Sequence, residues 1–230
     1  MSVETSRGAN VRAEDIYRWG PVWSRRVGWV LDHIWWNTTV HGAEHVPATG
    51  PVIVASNHTG VIDGPLLHGA IPRGSHFIIK QEFWDSPLGF LMTLAGQIPV
   101  DRRRGRAALV VAQQMLAEGR VVGIFPEGNR GGGGVQNTRA GAAWLAVHGN
   151  APVVPVACLG TRPTGKKVGY VPPPRARLHV VFGKPIVIDT ERGEGGNREV
   201  MARAVEQIHQ GLAAHVQDAV RLTGVPLPTD

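Results

Sequence analysis

A histidine and an aspartate separated by four residues are the pair in this sequence best suited to acid–base chemistry. His58 and Asp63 lie in the polar stretch 56–63. A carboxylate that accepts a hydrogen bond from one imidazole nitrogen leaves the other nitrogen to take a proton from an alcohol and return it to a leaving group. The pair therefore predicts a general base and the residue that orients it. The plainer alternative is that Asp63 only caps a helix and His58 is an ordinary loop histidine.

The segments on either side of this pair predict how it is positioned. Residues 51–55 are apolar and rich in β-branched side chains, which is typical of a buried strand. Asp63 stands where the N-cap of the next helix is expected, and Pro65 falls within its first turn. The pair should therefore lie in a short loop between a strand and a helix.

Basic residues after two other predicted strands favour a phosphate site. Arg102 belongs to a block of four arginines in residues 102–106, and Lys80 ends the predicted strand 76–80. Arginine binds phosphate through a planar fork of donors. A solvated basic turn before the predicted helix 107–118 is the alternative, although arginines at a helix N-terminus oppose the helix dipole.

A third polar group directly follows the apolar run 121–125. Here Glu127, Gly128 and Arg130 precede four consecutive glycines, residues 131–134. Arg130 could bind the same phosphate, and Glu127 could bind a substrate hydroxyl or hold an arginine in place. Gly128 would allow a ligand to approach the backbone closely. A structural ion pair for Glu127 and a disordered glycine tip remain open at this point.

The alternation of predicted strands and helices predicts an α/β fold with a single mixed or parallel sheet flanked by helices. We expect a disordered start over residues 1–13, a helical membrane-docking segment over residues 14–37 and an α/β domain over residues 38–230. The docking segment is predicted from five tryptophans that lie among arginines, a composition typical of helices at a membrane interface. These residues are Trp19, Trp23, Trp29, Trp35 and Trp36, with Arg18, Arg25 and Arg26. The alternative is that the tryptophans pack on the core.

Composition limits the partners and the compartment. Lysines and arginines number 24 against 18 acidic residues, a formal charge of +6, which favours an anionic partner such as phosphate or an acidic membrane surface. Cys158 is the sole cysteine, so we expect neither a disulfide framework nor a cysteine metal site, and a reducing compartment. We also expect no signal peptide and no transmembrane helix. Nucleic-acid binding is the remaining interpretation of the charge, but no nucleic-acid motif is present.

Four segments in order resemble the glycerolipid acyltransferase family, which includes 1-acylglycerol-3-phosphate and glycerol-3-phosphate O-acyltransferases and the bacterial PlsC-like enzymes. The matching segments are 58–63, 96–102, 125–130 and 153–156. The resemblance implies that His58 is the general base and Asp63 its partner, and that the segment with Asp101 and Arg102 binds the acceptor. It also implies that Glu127, Gly128 and Arg130 bind the acceptor near its phosphate. Asn129 stands where the family usually has threonine, which affects acceptor choice more than the reaction.

The implied reaction moves a fatty acyl group from acyl-CoA or acyl-carrier protein, as co-substrate, to the hydroxyl of lysophosphatidate, with no cofactor and no metal. The expected partners are that donor, the lysophospholipid acceptor and an anionic membrane surface, with no nucleic acid. The expected location is the cytoplasmic face of the cell membrane, as a peripheral or monotopic protein. The alternatives are acylation of glycerol 3-phosphate or another alcohol, thioester hydrolysis, and a non-catalytic membrane-surface protein.

Overall fold

The computed structural model describes residues 11–101, 105–128, 130–135, 139–191 and 196–229, which form a seven-stranded sheet with helices on both faces. Its strand order is β1-β7-β6-β2-β5-β3-β4, and every neighbouring pair is parallel except β6 with β7. The strands are β1 Asn37–His41, β2 Val52–Ser56, β3 Ser75–Lys80, β4 Ile98–Val100, β5 Val121–Ile124, β6 Val153–Leu159 and β7 Arg177–Phe182. This architecture confirms the predicted mixed α/β sheet flanked by helices.

The helices cover the sheet because its central strands are apolar on both faces. Alternate residues of a strand point to opposite faces, so Ile53 and Ala55 of β2 join one core cluster while Val52 and Val54 join another. All five residues of β2 are buried, as expected for a central parallel strand. The helices are α1 Gly20–Val30, α2 Asp63–Ala70, α3 Gly89–Leu94, α4 Arg106–Ala117, α5 Ala140–Gly149 and α6 Gly196–Thr223.

The two faces of the sheet have different coverings. Buried residues of α4, α5 and α6 pack with Ile53, whereas buried residues of α2 pack with Val54. Helix α1 lies against α2, where Gly28 and Gly69 meet closely: a Cβ added to Gly28 would lie 2.8 Å from the Cα of Gly69. Helix α1 therefore packs directly against α2, the helix that begins at Asp63.

The chain before α1 is only partly described. Residues 1–10, most of the predicted disordered start, lie outside the described residues. Val11 is buried in the core cluster that also contains Val111 of α4. A π-helical turn, Leu31–Trp35, continues α1 towards β1. Within the described part of the chain, no helix is both long and apolar enough to cross a bilayer.

Candidate active site

The parallel arrangement of β2, β5 and β6 places the loops that follow them at one edge of the sheet. Ala55 near the end of β2 pairs with Ile124 at the end of β5, and Ser56 pairs with Val156 of β6. The residues just beyond β2 and β5 therefore emerge side by side. As a result, the rings of His58 and Phe125 stack with their centroids 4.1 Å apart. This edge is where doubly wound sheets usually bind ligands.

The structure brings His58 and Asp63 into hydrogen-bond contact. Nδ1 of His58 lies 2.9 Å from Oδ2 of Asp63, and the Asp63 side chain is fully buried while that of His58 is 12% exposed. If Nδ1 carries the proton that it donates to Asp63, Nε2 is left as the acceptor. The contact therefore suits a base whose ring is held in one orientation.

Asp63 is not the N-cap that the sequence predicted. Helix α2 begins at Asp63, and its N-cap is Ile62. The Asp63 carboxylate turns back to the preceding loop, where Oδ2 accepts hydrogen bonds from the backbone N–H groups of Thr59 at 2.6 Å and Gly60 at 2.9 Å. A carboxylate bound to its own loop can fix that loop and the imidazole together, which helix capping alone would not do.

Two threonines complete the surroundings of Asp63, and sequence reasoning identified neither. The hydroxyl of Thr161, which follows β6, donates to Oδ1 of Asp63. The same hydroxyl lies 2.9 Å from that of Thr59, and Thr161 is fully buried. Both carboxylate oxygens thus have partners. A buried threonine after a strand carries no local signal of this role.

The third polar segment holds the backbone of His58 from the opposite side. Oε1 of Glu127 accepts a hydrogen bond from the His58 N–H at 3.0 Å, and the His58 carbonyl accepts one from the Gly131 N–H at 2.9 Å. Burial, reinforced by the nearby charge of Asp63 and opposed by the His58 hydrogen bond, raises the pKa of Glu127 to about 7. Glu127 therefore holds the backbone of His58, and within the part of the chain that the structure describes it is not seen in the structural ion pair considered from the sequence.

The glycine run after Arg130 packs against the histidine loop and is not a disordered tip. Gly133 has a φ of +72°, and a Cβ added there would lie 2.4 Å from Cγ2 of Thr59. Arg162, after β6, donates to the carbonyl of Gly131 at 3.2 Å. Glycine is required at residue 133 because a side chain would displace the loop that carries His58.

An apolar groove of about 530 Å³ opens beside His58. It is lined by residues of α1 and α3, by residues of β3, and by residues at and after the end of β5. Its apolar lining residues include Trp23, Val27, Leu31, Leu91, Met92, Ile79 and Phe125. Its shape and lining are suited to a hydrocarbon chain whose reacting end lies at His58.

Among the described residues, three cations line this groove, and sequence reasoning predicted two of them. Lys80 ends β3, Arg130 lies with its guanidinium carbon 5.4 Å from the ring centroid of Phe83, and Arg139 precedes α5. Gly128, with a φ of +67°, makes room for Arg139, since a Cβ there would lie 2.4 Å from Nε of Arg139.

The remaining predicted binding residues come from the segment after β4. Asp101 follows β4 directly and is not among the described residues that line the groove. Arg102 lies outside the described residues. Among the residues that the structure describes, no group of three or more histidine, cysteine, aspartate or glutamate side chains is placed to hold a metal ion.

A match to a protein-family model identifies the family of the chain. The acyltransferase family model matches residues 37–159, a span that includes His58, Asp63 and Glu127. The chain belongs to this acyltransferase family. Several proteins similar to this chain are also named acyltransferases. The acyltransferase is 31% identical over 150 residues to the 1-acyl-sn-glycerol-3-phosphate acyltransferase of Bacillus subtilis, covering 64% of this chain and 72% of that one.

Other relatives of the acyltransferase come from animals and plants. It is 36% identical over 123 residues to the mouse 1-acyl-sn-glycerol-3-phosphate acyltransferase alpha, covering 51% of this chain and 43% of that one. It is 28% identical over 217 residues to the coconut 1-acyl-sn-glycerol-3-phosphate acyltransferase, covering 92% and 66%. The chain thus spans less than half the length of the mouse relative.

The fold is also found in a solved structure. The crystal structure of the 1-acyl-sn-glycerophosphate acyltransferase PlsC from Thermotoga maritima matches with a TM-score of 0.59 and 23% identity, covering 84% of this chain and 80% of that one. This likeness supports the α/β architecture of the acyltransferase.

Among the described cations of the groove, Arg139 is the one that sequence reasoning missed. An arginine at the start of a helix was a usable signal, because arginines there oppose the helix dipole, as argued above for the block 102–106.

The tryptophans of the N-terminal segment divide between core and surface. Trp36 is buried, with its Nε1–H donating to the Pro172 carbonyl, and the Trp23 Nε1–H donates to the Leu94 carbonyl. Trp19, Trp29 and Trp35 are 46–55% exposed. Other apolar residues are also exposed, in the same segment and at the start of α3: Val22, Val27, Val30, Ile34, Leu88 and Phe90.

Proposed function

We propose that this acyltransferase moves a fatty acyl group from a thioester, acyl-CoA or acyl-carrier protein, to the hydroxyl of lysophosphatidate and so makes phosphatidate. The observation that carries the proposal is the Nδ1–Oδ2 contact of 2.9 Å between His58 and Asp63 at the mouth of an apolar groove. The names of the relatives from Bacillus subtilis, mouse and coconut support lysophosphatidate as the acceptor.

In the proposed reaction His58 acts as general base. Nε2 takes the proton of the acceptor hydroxyl as its oxygen attacks the thioester carbonyl carbon. The tetrahedral intermediate then collapses, the carbon–sulfur bond breaks, and the imidazolium returns the proton to the leaving thiolate. Asp63 holds the ring and stabilises the imidazolium. Because the proton is taken and returned by the same imidazole, the proposed transfer requires no metal and no cofactor.

The acceptor phosphate is proposed to bind the cations at the groove. Arg130 and Lys80 line the groove together with His58, and Arg139 is a third cation in its lining. Arg102 and Asp101 are proposed to contribute from the segment after β4. Fixing the phosphate would place the acceptor hydroxyl near Nε2, which converts a bimolecular encounter into an oriented reaction. The apolar part of the groove would hold an acyl chain.

The exposed aromatic face of the N-terminal segment is proposed to dock on a membrane. Trp29 and Trp35 are 46% and 49% exposed, Ile34 is 70% exposed, and the chain carries a formal charge of +6. Indole rings favour the headgroup region of a bilayer and basic residues favour anionic lipids. Because α1 also lines the groove, docking of this segment would bring the groove to the bilayer surface, where its lipid substrates lie. We place the protein peripherally on the cytoplasmic face.

The test is acyl transfer by purified protein with lysophosphatidate and either thioester donor in detergent, followed by mass spectrometry of the lipid product. We expect phosphatidate, and a rate loss of roughly 10²–10⁴-fold in His58→Ala. His148→Ala, which alters an exposed histidine of α5, serves as the matched control. Free fatty acid formed without an acceptor would instead show a hydrolase, and product from glycerol 3-phosphate alone would show a different acceptor.

A further inference from the structure

The connection between β6 and β7 is much longer than its geometry requires. These two strands are antiparallel neighbours, and such pairs are commonly joined by roughly two to five residues. Here the chain uses residues 160–176, which we call the basic loop. Long connections without secondary structure in compact domains usually have a function of their own.

The basic loop is fixed at one end to the histidine loop of the active site. The Val168 carbonyl accepts a hydrogen bond from the Val61 N–H at 3.1 Å. Arg162, which is buried, donates to the Lys166 carbonyl at 2.9 Å. Thr161, the second residue of the loop, donates to Asp63. The loop is therefore in direct contact with the segment that carries the proposed base.

At its other end the basic loop is fixed to the N-terminal segment. The Trp35 carbonyl accepts a hydrogen bond from the Arg175 N–H at 2.7 Å, and the Pro172 carbonyl accepts one from the Trp36 indole at 3.1 Å. The exposed Trp35 and the basic loop thus lie side by side. The basic loop is therefore attached to the end of the segment that carries the exposed tryptophans.

The exposed residues of the basic loop have the composition of an anionic lipid contact. Lys166, Lys167 and Arg175 are exposed, and residues 160–188 contain no aspartate or glutamate. Two apolar residues are exposed among these cations, Val168 by 39% and Val171 by 56%. Cations attract anionic headgroups while apolar side chains enter the interface. The intermixed valines favour a lipid surface over an acidic protein.

We propose that the basic loop is a second membrane contact, which selects anionic lipid headgroups through Lys166, Lys167 and Arg175. The inference rests on the proposed function, in that it extends the proposed docking surface. Since the loop joins the Trp35 region to the His58–Asp63 loop, lipid bound there acts on a segment that holds the catalytic histidine in place.

The test is co-sedimentation of the full chain with vesicles of phosphatidylcholine alone or mixed with phosphatidylglycerol. Lys166→Gln and Lys167→Gln are expected to weaken binding to the anionic vesicles by ~5-fold each and the double variant by about 25-fold, since a basic residue at such a surface contributes about this factor. Binding to neutral vesicles should not change. Val171→Ser should weaken binding to both kinds of vesicle.

Matched controls lie at the opposite edge of the sheet, after the far end of β7. Lys184→Gln removes one exposed charge there, and Val187→Ser removes a valine that is 80% exposed. Neither should change vesicle binding. Thermal unfolding of all variants checks that they fold. We expect similar melting temperatures, because substitutions of exposed residues usually change stability little.

The outcomes separate this proposal from the proposed function. The lipid contact is overturned if the double variant binds anionic vesicles as tightly as the wild type. It is also overturned if Lys184→Gln weakens that binding equally, even when acyl transfer is intact. Loss of transfer from acyl-carrier protein with unchanged vesicle binding would make the loop a protein-docking site and would also overturn it. Vesicle binding that follows the expected pattern in a protein without acyl-transfer activity would support the contact and reject the activity.

Discussion

The hydroxyl of Thr161 donates a hydrogen bond to the carboxylate of Asp63, although the two residues are 98 positions apart in the chain. Thr161 follows β6, and Asp63 follows the loop after β2. The contact forms because β2 and β6 are parallel neighbours whose carboxyl ends lie at the same edge. It fixes the oxygen of Asp63 that does not face His58.

Replacement of Thr161 by valine should lower both stability and activity. Valine keeps the shape but leaves Oδ1 of the buried Asp63 with only the longer Thr59 contact of 3.4 Å. We expect a loss of about 1–3 kcal/mol in the free energy of unfolding. We also expect kcat to fall roughly tenfold, equal to about 1.4 kcal/mol, with little change in KM. Denaturant unfolding and steady-state kinetics measure the two effects.

The conservative variant is the control for this prediction. Thr161→Ser keeps the hydroxyl and should restore kcat, while Thr39→Val changes an exposed threonine of β1 and should have no effect. If Thr161→Val retained wild-type kcat, the hydrogen bond would have no part in positioning Asp63.

Adjacent glycines offer a second comparison. Gly133→Ala should destabilise the protein by more than ~1 kcal/mol, the usual penalty of a left-handed residue, because φ is +72° and the new Cβ would lie 2.4 Å from Thr59. Activity should also fall, since Thr59 adjoins His58. Gly134→Ala should be tolerated, because a Cβ there meets no atom of the described residues within 4 Å. Equal melting temperatures for the two variants would show that the loop adapts.

The partly buried Glu127 should make stability depend on pH. Its pKa rises from 4.5 to about 7 in the folded chain, so between these values the folded state holds more protons than the unfolded state. The contribution of this group to stability is therefore present at low pH and lost as pH rises through about 7. In Glu127→Gln this loss should disappear, while the amide oxygen can still accept from the His58 N–H.

Unfolding of wild type and Glu127→Gln in denaturant from pH 4 to pH 8 measures this effect. Their difference in free energy of unfolding should move in favour of the variant as pH rises, and level off above about pH 7. The exposed Glu44→Gln is the control. A difference independent of pH would contradict the raised pKa of Glu127.

Asp32 should produce a similar effect at higher pH. Its side chain is fully buried beside Gly69, and neither carboxylate oxygen has a hydrogen-bond partner among the described residues. Burial raises its pKa from 3.8 to about 8. The folded state therefore loses stability as pH rises towards about 8, where the buried carboxyl must ionise.

Asp32→Asn removes that ionisation and should be more stable than wild type above pH 8, with the advantage shrinking towards pH 5. Thermal unfolding from pH 5 to pH 9 measures it, and the exposed Asp85→Asn is the control. The change between pH 7 and pH 8 distinguishes Asp32 from Glu127. An advantage that stayed constant over this range would show that Asp32 does not titrate there.

The sequence by itself predicted the parts of the site that depend on nearby residues. His58 and Asp63 are separated by four residues, so their contact needed only one loop, and the pattern of apolar runs predicted the α/β sheet. Lys80 and Arg130 were predicted because one ends a predicted strand and the other lies in the polar segment that follows another. The predicted start of the helix was less accurate. Asp63 was expected to be the N-cap, but it is the first residue of α2 and its carboxylate binds the preceding loop.

Only the tertiary structure decided which distant residues surround that pair. Thr161, Gly131 and Arg139 reach the site because parallel neighbours place the loops after β2, β5 and β6 at one edge of the sheet. Thr161 has the sequence context of an ordinary loop residue, and an arginine at the start of α5 does not by itself indicate which distant residues it meets. The tryptophans show the same limit: their composition predicted an interface, but tertiary packing determined that Trp29 is exposed and that Trp36 is buried in the core. Periodicity and spacing report neighbours along the chain, whereas burial and contacts across it depend on how strands pair and helices pack.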